Sequence, residues 1–311
     1  LNAVVYIFID PILSFLRVPE EVWGGMREYL LIIFAGLLAT SLYNFFSCLL
    51  RALGNSTVPL VFLAVSAILN IAWDLLFVAV FHWGIAGAAY ATIFAQYVSG
   101  IGILLYILFR CRSLFPERKD LCFDGGILKE IAGLSSLTCL QQSVMNFGIL
   151  MVQGLVNSFG ATTMAAFAAA VKIDTFAYLP VQDFGNAYST FIAQNYGAGN
   201  KERIRRGTKE SFAISTAFSL VISALVFAFA APLMQIFVSS AETAVIASGV
   251  RYLRIEGAFY FGIGCLFLLY GYYRAIKRAE MSVVLTVISL GIRVLLAYVL
   301  SATFLGEKGI W

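Results

Sequence analysis

The chain reads as an all-α polytopic membrane protein, and three observations predict it. Hydrophobic residues make up 61% of the sequence and charged residues only 12%, roughly half the charged share of an ordinary soluble domain. Apolar stretches long enough to cross a bilayer as helices recur along the whole length. The basic residues between them gather in every second connection, as the positive-inside rule requires of a multi-pass protein.

The first stretch, 1–16, is a partial span closed by Arg17 and Val18-Pro19-Glu20-Glu21. Complete spans are predicted at about 26–50, 58–81, 85–109, 133–157, 164–192, 212–237, 246–273 and 281–304. The basic connections are the turn at Arg51, the loop 110–129, the loop 201–209 and the turn 274–278, which places these four in the cytoplasm. The opposite connections, around 19–24, 82–84, 158–163, 239–243 and 306–309, are nearly uncharged or acidic. A multi-pass membrane location with those four connections in the cytoplasm is expected.

An internal repeat organises these spans. Tyr29-Leu30-Leu31-Ile32 recurs as Tyr252-Leu253-Arg254-Ile255, 223 positions on, and Arg51-Ala52-Leu53 recurs in the same register as Arg274-Ala275-Ile276. That interval holds an even number of spans, so consecutive copies insert in the same orientation, the parallel-repeat arrangement of several secondary transporters. The reading gives a first lobe at 1–110, a cytoplasmic linker at 111–126 and a second lobe at 127–311. The parent would have two six-helix lobes, twelve helices in all. This chain, which opens on Leu1 with neither methionine nor signal peptide, is expected to lack the first two helices and the last.

Several chemistries are excluded. Cys48, Cys111, Cys122, Cys139 and Cys265 form no spaced pairs, so no disulfide or zinc framework is encoded. His82 is the single histidine. Gly197-Ala198-Gly199-Asn200-Lys201 is glycine-rich, but it follows no strand and lacks the GK[ST] ending of a phosphate loop. No catalytic constellation appears, so the protein is not read as an enzyme. Clustering of basic residues at span ends points to topology and not to nucleic acid.

The candidate site lies in the span 58–81. Asp74 is a carboxylate at membrane depth, which is costly and functional by default. Asn70 precedes it by four residues, on the same helical face. Asp74 is eight residues before His82 and Thr92 eight after Gly84. Both therefore fall about 12 Å below the connecting turn on adjacent antiparallel helices. Asn70, Asp74 and Thr92 could converge as oxygen ligands for Na⁺, or Asp74 could carry a proton. At the repeat offset Asn70 becomes Arg293 and Asp74 becomes Ala297, so the pair is not needed by the scaffold.

The second lobe has its own polar set: Lys172, Asp174, Gln182, Asp183, Glu256 and Arg293. Mutual charge pairing and substrate or ion binding explain it equally well. Pro180 predicts a kink that would open backbone groups beside Asp183. Gln142, Asn146, Gln153 and Asn157 form a polar stripe on the span after the linker, read as interhelical hydrogen bonding or as a cleft lining.

These residues resemble the multidrug and toxic compound extrusion (MATE) family over the whole chain. The resemblance rests on Arg51-Ala52-Leu53-Gly54-Asn55 followed by Pro59, on Leu69-Asn70-Ile71 with Asp74, and on Gly84-Ile85-Ala86-Gly87-Ala88-Ala89. Ala193-Gln194-Asn195-Tyr196-Gly197-Ala198-Gly199 and Arg293 extend it. It implies a V-shaped, two-lobe bundle that works by alternating access, as a monomer in a lipid bilayer. It also implies antiport of Na⁺ or H⁺, with no other cofactor, against cationic or amphipathic small molecules. The family's cation site includes an asparagine and an aspartate four apart and a threonine on the next span. These fall on Asn70, Asp74 and Thr92, and a further family aspartate would precede Leu1. Some members also use second-lobe acids, for which Asp174 and Glu256 are the candidates. A flippase of lipid-linked precursors with a related fold, and an inactive fragment, are the competing readings.

Overall fold

The computed structural model describes residues 2–15, 20–112, 123–304 and 306–311. Among them the regular structure is helical throughout. Seven segments are long and apolar enough to cross a membrane, and one bent pair of helices makes an eighth, matching the eight complete spans expected. The chain forms two compact units, Leu1–Phe123 and Asp124–Trp311.

Unit 1 contains α1 (Asn2–Phe15), α2 (Glu20–Ala35), α3 (Leu37–Ala52), α4 (Thr57–Asp74) and α5 (Gly84–Arg110). Helix α5 is its hub because small residues let its neighbours come close. A Cβ at Gly100 would lie 2.6 Å from the Ala39 carbonyl of α3, and one at Gly87 would lie 3.0 Å from Trp83 and 3.2 Å from Phe77. Phe46, Leu50, Ile103 and Ile107 fill the α3–α5 seam. Pro11 sits inside α1, and Phe8, three residues earlier, takes the non-helical φ and ψ that a mid-helix proline imposes. Asp10 is held there by Arg27 at 2.8 Å.

Unit 2 contains α6 (Gly125–Asn157), α7 (Ala161–Gly197), α8 (Lys201–Gln235), α9 (Thr243–Ala258), α10 (Tyr260–Ala275) and α11 (Ala279–Ser301), then a short 3-10 turn at Gly306–Gly309. Helix α7 is central, against α8, α9 and α10. A Cβ at Gly271 would come within 2.5 Å of the Gly185 carbonyl, so α7 and α10 touch backbone to backbone. Phe167, Ile173, Val226, Leu253 and Tyr260 form the core between α7, α8, α9 and α10.

The structure departs from the sequence expectations at several element bounds. Residues 201–209 are not a loop but the opening turns of α8. Gly199 at φ +69° ends α7, Asn200 caps the new helix through Arg203 N–H, and charged residues simply carry the helix beyond its apolar part. Helix α6 likewise begins at Gly125, inside the expected linker, because Asp124 accepts from the N–H groups of Gly126 and Ile127. Residues 113–122 of that linker, with Cys122, lie outside the described residues. Helix α7 is assigned as one helix through Pro180, which has no N–H to return to the carbonyl one turn earlier.

The spans expected at 26–50 and 246–273 are each broken once. Adding 223 to each bound of α2 and α3 lands on each bound of α9 and α10. The breaks, Gly36 and Phe259, are repeat-related, and α10 is bent 51° from α9. The register persists past the helices: Gly54 and Lys277, also 223 apart, both cap their helices with positive φ, 86° and 62°. Such a cap returns the next N–H to a carbonyl one turn inside, as Asn55 does to Leu50 and Arg278 to Tyr273.

Candidate functional site

Asp74 is the last residue of α4, and a six-residue π turn, Leu75–Val80, follows it directly. π turns concentrate at functional positions because their widened hydrogen-bond ladder re-aims side chains. Here the turn also alters the depth expected for Asp74. A π turn advances less per residue than an α turn, so the residue brought to Thr92 is Asn70, with Asn70 Nδ2 3.5 Å from Thr92 Oγ1. Thr92 Oγ1 accepts from Asn70 and donates to the Ala88 carbonyl at 3.0 Å, which leaves one of its lone pairs available. Asp74 Oδ1 is buried and has no hydrogen-bond partner in the protein.

Aromatic rings close the connection above this carboxylate. Phe77 stacks on Trp83 at 5.0 Å and meets Phe94 at 6.0 Å, while Trp73 meets Phe94 at 5.7 Å. No run of a periodic pattern singled out these rings in the sequence; only the fold brings them together.

The polar residues of unit 2 divide. Asp174, on α7, is buried at 7% exposure. Tyr252 donates to its Oδ2 at 2.5 Å and Tyr260 donates to its Oδ1. Tyr252 precedes the break at Phe259 and Tyr260 follows it, so one carboxylate holds both halves of the bent span. Glu256, between them in sequence, pairs with Arg293 of α11 at 3.1 Å, and the guanidinium also reaches the Tyr252 hydroxyl. The two tyrosines were not among the expected site residues. Tyr252, Glu256 and Tyr260 are spaced by four, which marks a shared face but not the aspartate that it meets.

The remaining candidates stand apart from this cluster. Lys172 lies over the Phe237 ring at 5.7 Å. Among the described residues, Asp183, Gln142 and Asn146 are exposed and have no hydrogen-bond partner. Gln153 donates to Asn157 at 3.4 Å, so the expected polar stripe is joined only at its end. Two further basic residues within the span, Arg251 and Arg254, went unweighed in the sequence. Arg251 is 3.9 Å from Glu307 and Arg254 lies over Phe227 at 5.1 Å.

Buried ionisable groups inside a multi-pass helical bundle, with exposed apolar helix faces around them, mark an integral membrane protein. The MatE family model matches residues 1–76 and 137–299. The probable multidrug resistance protein YpnP of Bacillus subtilis is 33% identical over 99% of this chain and 68% of its own length. The chain belongs to this family of membrane transporters. The probable multidrug resistance protein NorM of Thermotoga maritima is 28% identical over 96% of the chain and 65% of its own length. The chain thus spans about two thirds of these relatives. The fold is that of the Vibrio cholerae MATE transporter VcmN. The crystal structure of a mutant of that protein is 23% identical, with a TM-score of 0.93 over 99% of this chain and 70% of that one.

Proposed function

We propose that this chain is the greater part of a cation-coupled exporter, in which Na⁺ or H⁺ binding at Asn70, Asp74 and Thr92 drives extrusion of cationic or amphipathic small molecules by alternating access. The observation that carries the reading is the buried, unpartnered Oδ1 of Asp74 beside the Asn70–Thr92 pair. An ion can shift an equilibrium between two states only by binding them unequally. A carboxylate that the fold leaves short of partners is suited to that role. The relatives' names, multidrug resistance proteins, support drugs as cargo. The basic ends at Arg51, Lys201 and Arg274 support a cytoplasmic location for their connections.

The flippase reading draws on Lys172, Arg251, Arg254 and Arg293 within the spans of unit 2. Glu307 and Glu256 face two of these four, which weakens a basic cleft and favours the exporter. In the full-length transporter, Asp74→Asn is expected to abolish ion-driven efflux of a cationic dye while the protein still accumulates in the membrane. Efflux at the wild-type rate by that variant would overturn the assignment.

A further inference from the structure

Helix α8 is longer than the membrane it crosses. Lys201–Gln235 is 35 residues, about 52 Å at 1.5 Å per residue, whereas the hydrocarbon layer is about 30 Å thick. Every charged residue of the helix falls within 201–210, and 211–235 carries none. The edge of the apolar layer therefore lies near Glu210. Arg206 and Arg203, about 6 Å and 10 Å further out, reach the headgroup layer. An open groove of about 490 Å³ lies at this depth, between the last turns of α7 and the first turns of α8, within the size range of small-ligand sites.

The groove has a mixed charge. Phe191 of α7 forms one wall because Gly207 leaves room for it: a Cβ at that glycine would collide with the ring. Arg203 lies over the same ring at 5.7 Å, so its guanidinium rests on an aromatic face and not on a carboxylate. Glu202 lines the groove without an ion-pair partner among the described residues. Arg206 and Glu210 complete it, paired at 2.8 Å. The groove therefore offers one free cation and one free anion beside a neutral pair. Lys201, Arg205 and Lys209 form a separate row spaced by four, and none of them lines the groove. Towards the apolar layer the same face of α8 continues as a stripe. Ile214, Phe218, Val221 and Leu225, at intervals of three or four, are 40–58% exposed.

We propose that this groove is a headgroup site for phosphatidylethanolamine in the leaflet at that end of α8. Arg203 takes the phosphate, helped by the side-chain amide of Asn200, whose oxygen is already used in capping the helix. Glu202 and Glu210 take the ammonium, and an acyl chain lies along the stripe from Ile214 to Leu225. Two carboxylates in a net-neutral groove oppose an anionic headgroup, whereas a zwitterion matches both signs. A primary ammonium brings three N–H donors to the carboxylate oxygens; the trimethylated ammonium of a choline headgroup brings none. The site is independent of the ion site at Asp74 and of the nature of the cargo.

The test uses the full-length transporter in phosphatidylcholine nanodiscs. Each sample carries a trace of phosphatidylethanolamine or phosphatidylglycerol with a diazirine at the same acyl carbon, so that only the headgroup differs. After illumination, crosslinks to residues 211–225 should be about five times as abundant with the ethanolamine probe. On the exposed face of α4, around Leu60 and Ile68, the two probes should label equally. Glu202→Gln/Glu210→Gln should bring the ratio at α8 down to that of α4 or below it. Arg203→Gln should lower labelling of α8 by both probes about threefold. All three side chains are exposed, so these variants should melt as wild type does. A ratio near one in wild type, a preference for the glycerol probe, or a preference that survives the double variant would overturn the proposal. Ethanolamine labelling no higher at α8 than at α4 would do the same, because choline lipid would then fill the groove equally well. Glu202→Gln alone decides the same points if the double variant does not assemble.

Discussion

Asp74 and Asp174 are both aspartates at membrane depth in a helical unit, yet the fold treats them oppositely. Asp174 receives a tyrosine hydroxyl on each oxygen, and its acidic neighbour Glu256 has an arginine beside it. Asp74 has one oxygen buried with no partner. The repeat sharpens the contrast, because Arg293 stands where unit 1 has Asn70. Unit 2 supplies a cation from its own chain at the position where unit 1 offers only neutral oxygen and nitrogen. A carboxylate satisfied from within fixes geometry, whereas one left short of partners is available to an ion from outside.

The largest effect that would break this comparison is on stability. Asp174→Ala would leave two buried tyrosine hydroxyls unpaired, at about 1–3 kcal/mol each, and would release both halves of the bent span. A loss of about 3–5 kcal/mol is expected, among the large values for a single substitution. Asp74→Ala removes a group that has little to lose and should change stability by less than about 1 kcal/mol. Thermal unfolding of the two full-length variants in one detergent reads both. Equal losses would show that Asp74 is as much a structural group as Asp174.

A smaller effect is expected at the Arg293–Glu256 pair. Arg293→Met leaves Glu256 without its partner. Breaking a fully buried pair costs about 3–5 kcal/mol, but the arginine side chain is 41% exposed and the glutamate 16%. Solvent therefore screens much of the interaction, and a loss of about 1–2 kcal/mol is expected. Adding Glu256→Gln should recover most of it, since the uncompensated charge is then gone. If the double variant is no better than the single, the arginine acts through Tyr252 or packing, and the contrast with Asn70 is geometric only.

The span count, the repeat register and the shared helical face of Asn70 and Asp74 could be read from the sequence because each rests on local spacing. Apolar length marks a span and an interval of four marks a shared face, but equal distances from the turn put Asp74 level with Thr92, where the π turn brings Asn70 instead. What escaped depends on partners far along the chain. The tyrosines on Asp174 come from 78 and 86 residues away, and nothing about an isolated Tyr252 says which helix it will face. The break at Phe259 has no proline or glycine at the break itself. The π turn after Asp74 is equally silent in the apolar run Leu75-Leu76-Phe77-Val78.

The smallest expected effect tests how closely the two units keep their register outside the polar sites. Gly54 and Lys277 occupy the same left-handed cap position, which glycine adopts freely and a residue with a Cβ does not. Gly54→Ala should therefore cost about 1 kcal/mol, with nothing in the way of the new methyl group, since no atom lies within 4 Å of its position. Lys277→Gly should act in reverse and raise the melting temperature slightly. The opposing influence is the Lys277–Glu130 ion pair at 2.5 Å, which raises the lysine pKa by hydrogen bonding and charge and joins the α10–α11 turn to α6. Both partners are exposed, and exposed pairs contribute little, so relief of backbone strain should win. A fall in melting temperature for Lys277→Gly, matched by Glu130→Gln, would reverse that ranking. The lysine would then be kept at a glycine position for its link to α6, a link with no equivalent at Gly54.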